Sequence, residues 1–390
     1  MATFENELEN NILSFWLCRM QDVEHGGFYG RIDGNGTLHP QANKGAVLHA
    51  RILWTFSAAY RLLKKPEYKA AAQRAFDYIT GHFIDTAFGG VYWEVDYTGR
   101  PVNTKKQMYA QGFALYGFSE FYRATGNVKA LELSKEFFHL IEKRRDHRAG
   151  GYLEAYTREW NTIADMRLSS KDANEKKTMN THLHILEPYT NLCRVWNSPQ
   201  LQEAQQNLIA VFTEKICNKA GHLDLFFDEA WNVKPAGISY GHDIEASWLL
   251  WEAAEVSGDA RLLEQVRALS LKIADAAAEG LLPDGSMAYE RAGEHADNDR
   301  HWWVQAETVT GFLYAYKNSG NKDYLGKAAR AWQYIQRHII DTAGGEWRWS
   351  CKADGSVNRA DDKAGHWKCP YHNGRMCMEI IEHFNDIPVI

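Results

Sequence analysis

Apolar residues recur three and four positions apart in long stretches of this chain, and the stretches come in twos. The spacing over 107–124 (QMYAQGFALYGFSEFYRA) and 128–144 (VKALELSKEFFHLIEKR) predicts two amphipathic helices. Equivalent pairs cover 47–63 with 67–83, 180–196 with 200–217, 242–256 with 260–278, and 304–318 with 322–338. Short breakers divide the members of each pair: Lys65-Pro66, Thr125-Gly126-Asn127, Asn197-Ser198-Pro199, Ser257-Gly258-Asp259 and Ser319-Gly320-Asn321. A sixth pair combines the last apolar stripe, 372–384, with the first, 3–19, where Phe4, Leu8, Ile12, Phe15 and Trp16 share one face.

Between the pairs runs a second phrase. It reads HGGFYGRIDGNG from His25, FGGVYWEVDYTG from Phe88, AGGYLEAYTREW from Ala149, AGHLDLFFDEAW from Ala220, EGLLPDGSMAYE from Glu279 and AGGEWRWSCKADG from Ala343. The copies lie roughly 60 to 70 residues apart, a spacing that signals a repeat architecture. Each is a glycine turn, a short alternating segment and a second turn such as Asp33-Gly34, which predicts a small β-hairpin. Twelve helices in six antiparallel hairpins form either an open solenoid or a closed ring. A solenoid needs polar capping repeats, whereas the terminal stripes here are amphipathic and can cover each other. The expected fold is therefore all-α, a closed (α/α)6 barrel with β-hairpins in its long loops, as a single domain over 1–390. The first helix of each pair is richer in small and aromatic residues and becomes the inner one; Gly112, Ala114 and Gly117 suit close inner packing.

Composition adds exclusions. The formal net charge of −6 over 390 residues lacks the basic footprint that nucleic acid or an anionic membrane surface requires. No stretch is long and apolar enough to span a bilayer, and the N-terminus lacks the basic and apolar regions of a signal peptide. Six scattered Cys without a CxxC read as reduced thiols, so a cytoplasmic protein is expected; the sequence leaves oligomeric state open, with a monomer preferred. With 14 Trp, 19 Tyr and 17 Phe the chain is rich in flat rings, which serve either a core or a stacked ligand such as a sugar.

The ring also locates chemistry. Connections into the inner helices are long and those within pairs short, so all inner-helix N-termini face one mouth. The residues there are His49 with Arg51, Tyr109 with Gln111, and Asn180 with His182 and His184. They continue as His242 with Glu245 and Trp248, Trp302 and Trp303 with Glu307, and Trp367 with His372 and Asn373. Polar and aromatic groups at six equivalent places converge in one funnel, the default binding site. Bland readings stand beside this one. His242 and Glu245 are also spaced as a surface ion pair, and His182 or His184 as structural histidines. Two residues apart on a helix, His182 and His184 cannot face one ligand, and His184 aligns with Asn180. Arg51 sits in an apolar stretch and needs a partner or ligand. One of Trp302 and Trp303 packs while the other lines the site. His366, Cys369, His372 and Cys377 could be read as a zinc cluster, but their irregular spacing straddles Pro370, and no metal is expected.

The segments KGAVLHARILWTFSAAY (44–60), KTMNTHLHILEPYTNL (177–192), ISYGHDIEASWLL (238–250), WWVQAE (302–307) and HWKCPYHNGRMCMEI (366–380) resemble the N-acylglucosamine 2-epimerase superfamily over essentially the whole chain. Within it they are most similar to the branch that acts on the reducing-end glucose of β-1,4-linked disaccharides such as cellobiose and lactose. That resemblance implies an isomerase that epimerises C2 without cofactor, with His242 and His372 as the acid/base pair. It implies that His184 aids ring opening, that Glu245 orients and tunes His242, and that Arg51 and Asn180 hold hydroxyls and the enediolate. Tyr109, Trp248, Trp303, Glu307 and Trp367 would line the sugar subsites, with Trp367 a stacking platform.

The chemistry fits those roles. Epimerisation at C2 needs an open-chain aldehyde, a base on one face, an acid on the other, and positive charge at the enediolate oxygens. Histidines, with an ordinary pKa of about 6.5, can serve as either acid or base. Three alternatives stay open: an aldose–ketose isomerase or N-acylglucosamine 2-epimerase of the same superfamily, a glycoside hydrolase using Glu245 and Glu307, and a non-catalytic sugar-binding ring.

Overall fold

The computed structural model describes residues 2–385 and Ile387. The first helix, α1, runs over 2–19 with a wider π-helical middle at Glu7–Leu13. The inner helices are α2 (Ala46–Leu63), α4 (Met108–Thr125), α6 (Met179–Cys193), α8 (Tyr240–Ser257), α10 (Trp302–Ser319) and α12 (Tyr371–His383). Between them lie the outer α3 (Pro66–Tyr78), α5 (Val128–Glu142), α7 (Pro199–Val211), α9 (Ala260–Ala277) and α11 (Lys322–Tyr334). Each inner helix packs on the next, and α12 packs on both α2 and α1, so the six pairs close on themselves.

Local chemistry explains the boundaries. Inner helices end on residues in the left-handed region, Gly126, Gly258 and Gly320, where glycine has no Cβ penalty. The outer helices begin at Asn127, Ser198, Asp259 and Asn321, whose side chains accept first-turn N–H groups. The glycines inside the inner helices mark close approach. A Cβ on Gly112 would lie 2.3 Å from the His184 carbonyl oxygen, and one on Gly311 2.6 Å from that of Ile244.

The hairpins form a second ring at the mouth. A two-residue strand before each inner helix pairs with the hairpin of the next repeat: Lys44 with Val95, Lys106 with Tyr156, Lys177 with Phe227, Ile238 with Arg291, and Arg300 with Cys351. A bridge between Ile32 and Ala364 closes the circle. Behind it, Trp16 donates to Glu346 at 2.6 Å and Trp347 donates to Glu7 at 2.7 Å, tying the first helix to the last hairpin. Three turns share a buried clamp: Lys44 on Asp22 and the Gly26 carbonyl, Lys106 on Asp85 and that of Gly89, and Lys177 on Asp146 and that of Gly150. Among the described residues no helix is long and apolar enough to cross a membrane.

Candidate active site

The fourth and sixth residues of the inner helices do different work. The fourth are His49, Gln111, His182, Asp243 and Gln305. Each accepts a backbone N–H from its own hairpin: Phe28 to His49 Nε2 at 3.2 Å, Val91 to Gln111 at 2.7 Å, Tyr152 to His182 Nε2 at 3.0 Å, Leu223 to Asp243 at 2.9 Å and Met287 to Gln305 at 2.9 Å. His49, Gln111 and His182 thus hold the turns and do not reach into the funnel. The sixth residues of α2, α6, α8 and α10 are Arg51, His184, Glu245 and Glu307, and they meet around the axis.

His184 owes its setting to Pro188. Proline has no N–H, so the His184 carbonyl loses its helical partner one turn on, and the backbone kinks there to φ −90°, ψ 16°. The freed carbonyl presses on Gly112, and the ring is held by its Nδ1, 3.0 Å from Glu187 Oε2. His372, from the first turn of α12, places its Nδ1 2.7 Å from Glu307 Oε1. Both bonds are to carboxylates, which accept, so each Nδ1 carries the proton and each Nε2 keeps its lone pair. His242 stands differently: its Nδ1 meets the Ser239 hydroxyl at 2.8 Å. Trp303 lies between the two, its ring 4.8 Å from that of His242 and 5.6 Å from that of His372.

Beneath these rings lies a buried charge cluster. Arg375 bonds Glu187 and Tyr371 through one nitrogen and contacts Glu245 Oε1 and Glu307 Oε1, each at 2.7 Å, through the other. Glu245 sits 3.7 Å from His372 Nδ1 and 3.9 Å from His184 Nε2, and among the described residues it makes no ion pair with His242. The expected pairing of Glu245 with His242 is therefore not what the structure shows. Trp248 is also not brought to the funnel wall: it is 1% exposed, donates to Glu307 Oε2 at 2.9 Å and lies under the Arg375 guanidinium. Arg51 donates to the Tyr109 hydroxyl at 2.8 Å, faces the rings of Phe113 and Tyr371, and leaves its Nε without a partner. Asn180 keeps an unpartnered side-chain oxygen. Trp367 is half-buried beside Trp93, Tyr109 and His366, while Trp302 packs against Trp349.

Protonation follows from burial. Desolvation, with the charges of His184 and His372, pushes His242 down to about 3, and desolvation also brings His372 to about 3 against the pull of Glu307. Both are neutral at rest, below the ordinary histidine value expected from sequence. Desolvation and the nearby Glu307 raise Glu245 to about 8. Desolvation works on Glu307 too, but Arg375 and His372 outweigh it and hold that carboxyl at about 2. Glu245, Glu307 and His372 have metal-ligand chemistry, with ligand atoms within 4.8 Å of one another. The Arg375 guanidinium already supplies a cation to both carboxylates, so the cluster fits a guanidinium better than a metal ion. The carboxylates are tied to one cation and not spaced apart across a cleft, which also disfavours the hydrolase arrangement.

Sequence reasoning did not single out Arg375, Glu187, Tyr371 or Ser239. A signal existed: Glu187 follows His184, and Arg375 follows His372, by three residues on the same helix face.

The chain matches the N-acylglucosamine 2-epimerase (GlcNAc 2-epimerase) family over residues 27–374. A cellobiose 2-epimerase of Bacteroides fragilis is 58% identical over 381 residues, covering 97% of each chain. The solved cellobiose 2-epimerase of Bacillus thermoamylovorans is 42% identical, with a TM-score of 0.93 over 97% of this chain and 98% of its own. A sugar epimerase from a ruminal bacterium is 38% identical with a TM-score of 0.96, covering 99% of both chains. The chain belongs to the N-acylglucosamine 2-epimerase family.

Proposed function

We propose that this protein epimerises the reducing-end glucose of β-1,4-linked disaccharides at C2, converting cellobiose to glucosyl-mannose and acting on lactose in the same way. The observation that carries the reading is the placement of two neutral histidines, His242 and His372, on either side of the Trp303 ring. The near-full-length likeness to cellobiose 2-epimerases supports the substrate class.

The sequence of events is as follows. His184 moves a proton at the ring oxygen and C1 hydroxyl as the pyranose opens. One histidine then removes the C2 proton with its free Nε2 lone pair, and the electron pair passes to the C1 oxygen as an enediolate. Arg51, a buried guanidinium that pairs with no carboxylate among the described residues, and Asn180 hold those oxygens. The other histidine returns a proton to the opposite face of C2, and the sugar closes.

His372 is the histidine equipped to carry positive charge, because Glu307 accepts from its Nδ1; His242 has only a hydroxyl there. Since both are neutral at rest, the returned proton needs a store. Glu245, raised to about 8, is the nearest carboxyl that can hold it: its Oε2 lies 3.9 Å from the free Nε2 of His184, whereas the His372 Nδ1 at 3.7 Å already carries a proton. Tyr109, Trp303 and Trp367 give the sugar its walls, and Glu307 acts through His372. One ring supplies every group, so a monomer with a single catalytic domain suffices. The six Cys are all unpaired, which suits a cytoplasmic setting.

Incubation with cellobiose in D2O, followed by NMR, tests the reading. The expected product is glucosyl-mannose with deuterium at C2. Glucosyl-fructose would make the protein an aldose–ketose isomerase, and free glucose would refute both.

A further inference from the structure

Arg375 is 1% exposed, from its Cβ to its guanidinium, in the floor of the funnel. Its flat face is stacked between Trp248 and Tyr371, 4.7 and 4.4 Å from their ring centres. Its edge meets three carboxyl groups from three inner helices: Glu187 of α6, Glu245 of α8 and Glu307 of α10. Two of these carboxylates extend outward to a histidine, giving an unbroken chain His184–Glu187–Arg375–Glu307–His372. Two rings on opposite sides of the ring axis therefore depend on one cation.

We infer that Arg375 is a positioning residue of the epimerase: by keeping Glu187 and Glu307 ionised together, it holds His184 and His372 in the same Nδ1–H tautomer and leaves both Nε2 lone pairs to the substrate.

An ionised carboxylate can only accept, so it selects the Nδ1–H form of the imidazole beside it. A protonated carboxyl can donate instead, which sends the imidazole proton to Nε2 and blocks the base. In this dry site a carboxylate without a cation takes up a proton. Burial opposes ionisation at Glu187 and Glu307, yet both lie below the ordinary carboxylate value, with Arg375 the leading cause that outweighs burial. The groups facing Arg375 are Tyr116 of α4, His184 and Glu187 of α6, Glu245 and Trp248 of α8, Glu307 of α10, and Tyr371 and His372 of α12. Arg51 of α2 is the other buried cation near them, and it bonds Tyr109 instead of a carboxylate. The work of neutralising two carboxylates falls to Arg375. A lysine could supply the charge but not the planar fork that reaches three acceptors at once.

The catalytic consequence rests on the proposed epimerase reading, but the tautomers can be read in the resting protein. Full-length protein labelled with 15N-histidine is compared with Arg375→Gln and Arg375→Lys by long-range 1H–15N correlation, and the same samples are assayed on cellobiose. Wild type should show Nδ1–H at both His184 and His372. In Arg375→Gln at neutral pH at least one of them should convert to Nε2–H. The kcat should fall by about 100-fold or more, while KM changes less than about threefold. Arg375→Lys should regain part of the loss. A folded Arg375→Gln protein with both tautomers and its pH–rate profile unchanged would overturn the inference. If Arg375→Gln does not fold, Glu187→Gln replaces it, since Glu187 touches His184 and not His372. Coupling through the guanidinium shifts the His372 ring nitrogens as well, and a change confined to His184 refutes it. Wild type that ignores cellobiose, together with tautomers lost on Arg375→Gln, would refute the substrate reading and support this one.

Discussion

Pro188 stands one helical turn after His184, and the carbonyl that its missing N–H leaves free lies against Gly112 of the neighbouring inner helix. The kink costs helix stability and sets the direction of the His184 ring. Pro188→Ala should restore the helical bond, raise or maintain Tm, and reduce kcat by about tenfold as His184 turns. Loss of Tm with normal kcat would show that the kink serves packing alone. Gly112→Ala should fail in the other direction, costing about 1–3 kcal/mol because its Cβ meets backbone that cannot yield.

The two histidines flanking Trp303 give the sharpest functional test. His372→Ala and His242→Ala should each abolish turnover on cellobiose while far-UV circular dichroism and the thermal transition stay near wild type. Retained activity in either variant removes that residue from the proton transfer.

The proposed proton store has its own pH signature. With His242 and His372 at about 3 and Glu245 at about 8, activity should show no limb near the ordinary histidine pKa. Its alkaline limb should lie near pH 8, where Glu245 loses the proton it lends. Glu245→Gln should lower kcat by about 100-fold and erase that limb; an unmoved limb assigns it elsewhere.

Trp248 and Trp303 separate support from contact. Trp248→Phe removes the donor to Glu307 Oε2 and leaves a buried acceptor unsatisfied, at about 1–3 kcal/mol, with KM for cellobiose held within about twofold. Trp303→Ala, at the funnel wall, should instead raise KM. A large KM change in Trp248→Phe would place that ring at the sugar after all.

The turn clamps set acid stability. Asp22 and Asp146 are desolvated, yet their bonds to Lys44 and Lys177 outweigh this and hold both below the ordinary carboxylate value. Their folded pKa lies below the unfolded one, so their contribution is present above about pH 4 and is lost as pH falls through the lower folded values. Lys44→Met should cost about 3–5 kcal/mol at neutral pH, because Asp22 stays buried without its cation, and should flatten the acid side of the stability curve. A melt that changes equally at every pH would contradict the clamp.

Much of this architecture was legible because its signals are local. Helix period, Gly126 or Gly258 after a helix, and the glycine turns of the hairpins all act within a few residues. The mouth followed from loop lengths alone. What periodicity could not resolve was rotation of each helix about its own axis. His182 and His184, or Gln111 and Arg51, sit equally well at a helix start, and only the hairpin N–H groups decide that the fourth residue turns to the loop. Glu245 was read against its sequence neighbour His242, but packing turned it toward Arg375, 130 positions away. The Arg375–Glu187 contact joins residues 188 apart, and no pattern within one helix reports a partner on another.

Closure of the circle has a price in time. The bonds from Trp16 to Glu346 and from Trp347 to Glu7 join residues 330 and 340 positions apart. On the ribosome, at about 5–20 residues per second, the apolar stripe of the first helix emerges roughly 20 s or more before its partner exists. Until then Phe15 and Trp16 are uncovered, and the nascent ring is a curved stack with an open, adhesive end. Completion of the ring therefore waits for the hairpin that carries Glu346 and Trp347, and a chain halted before it would offer its first helix to any neighbour.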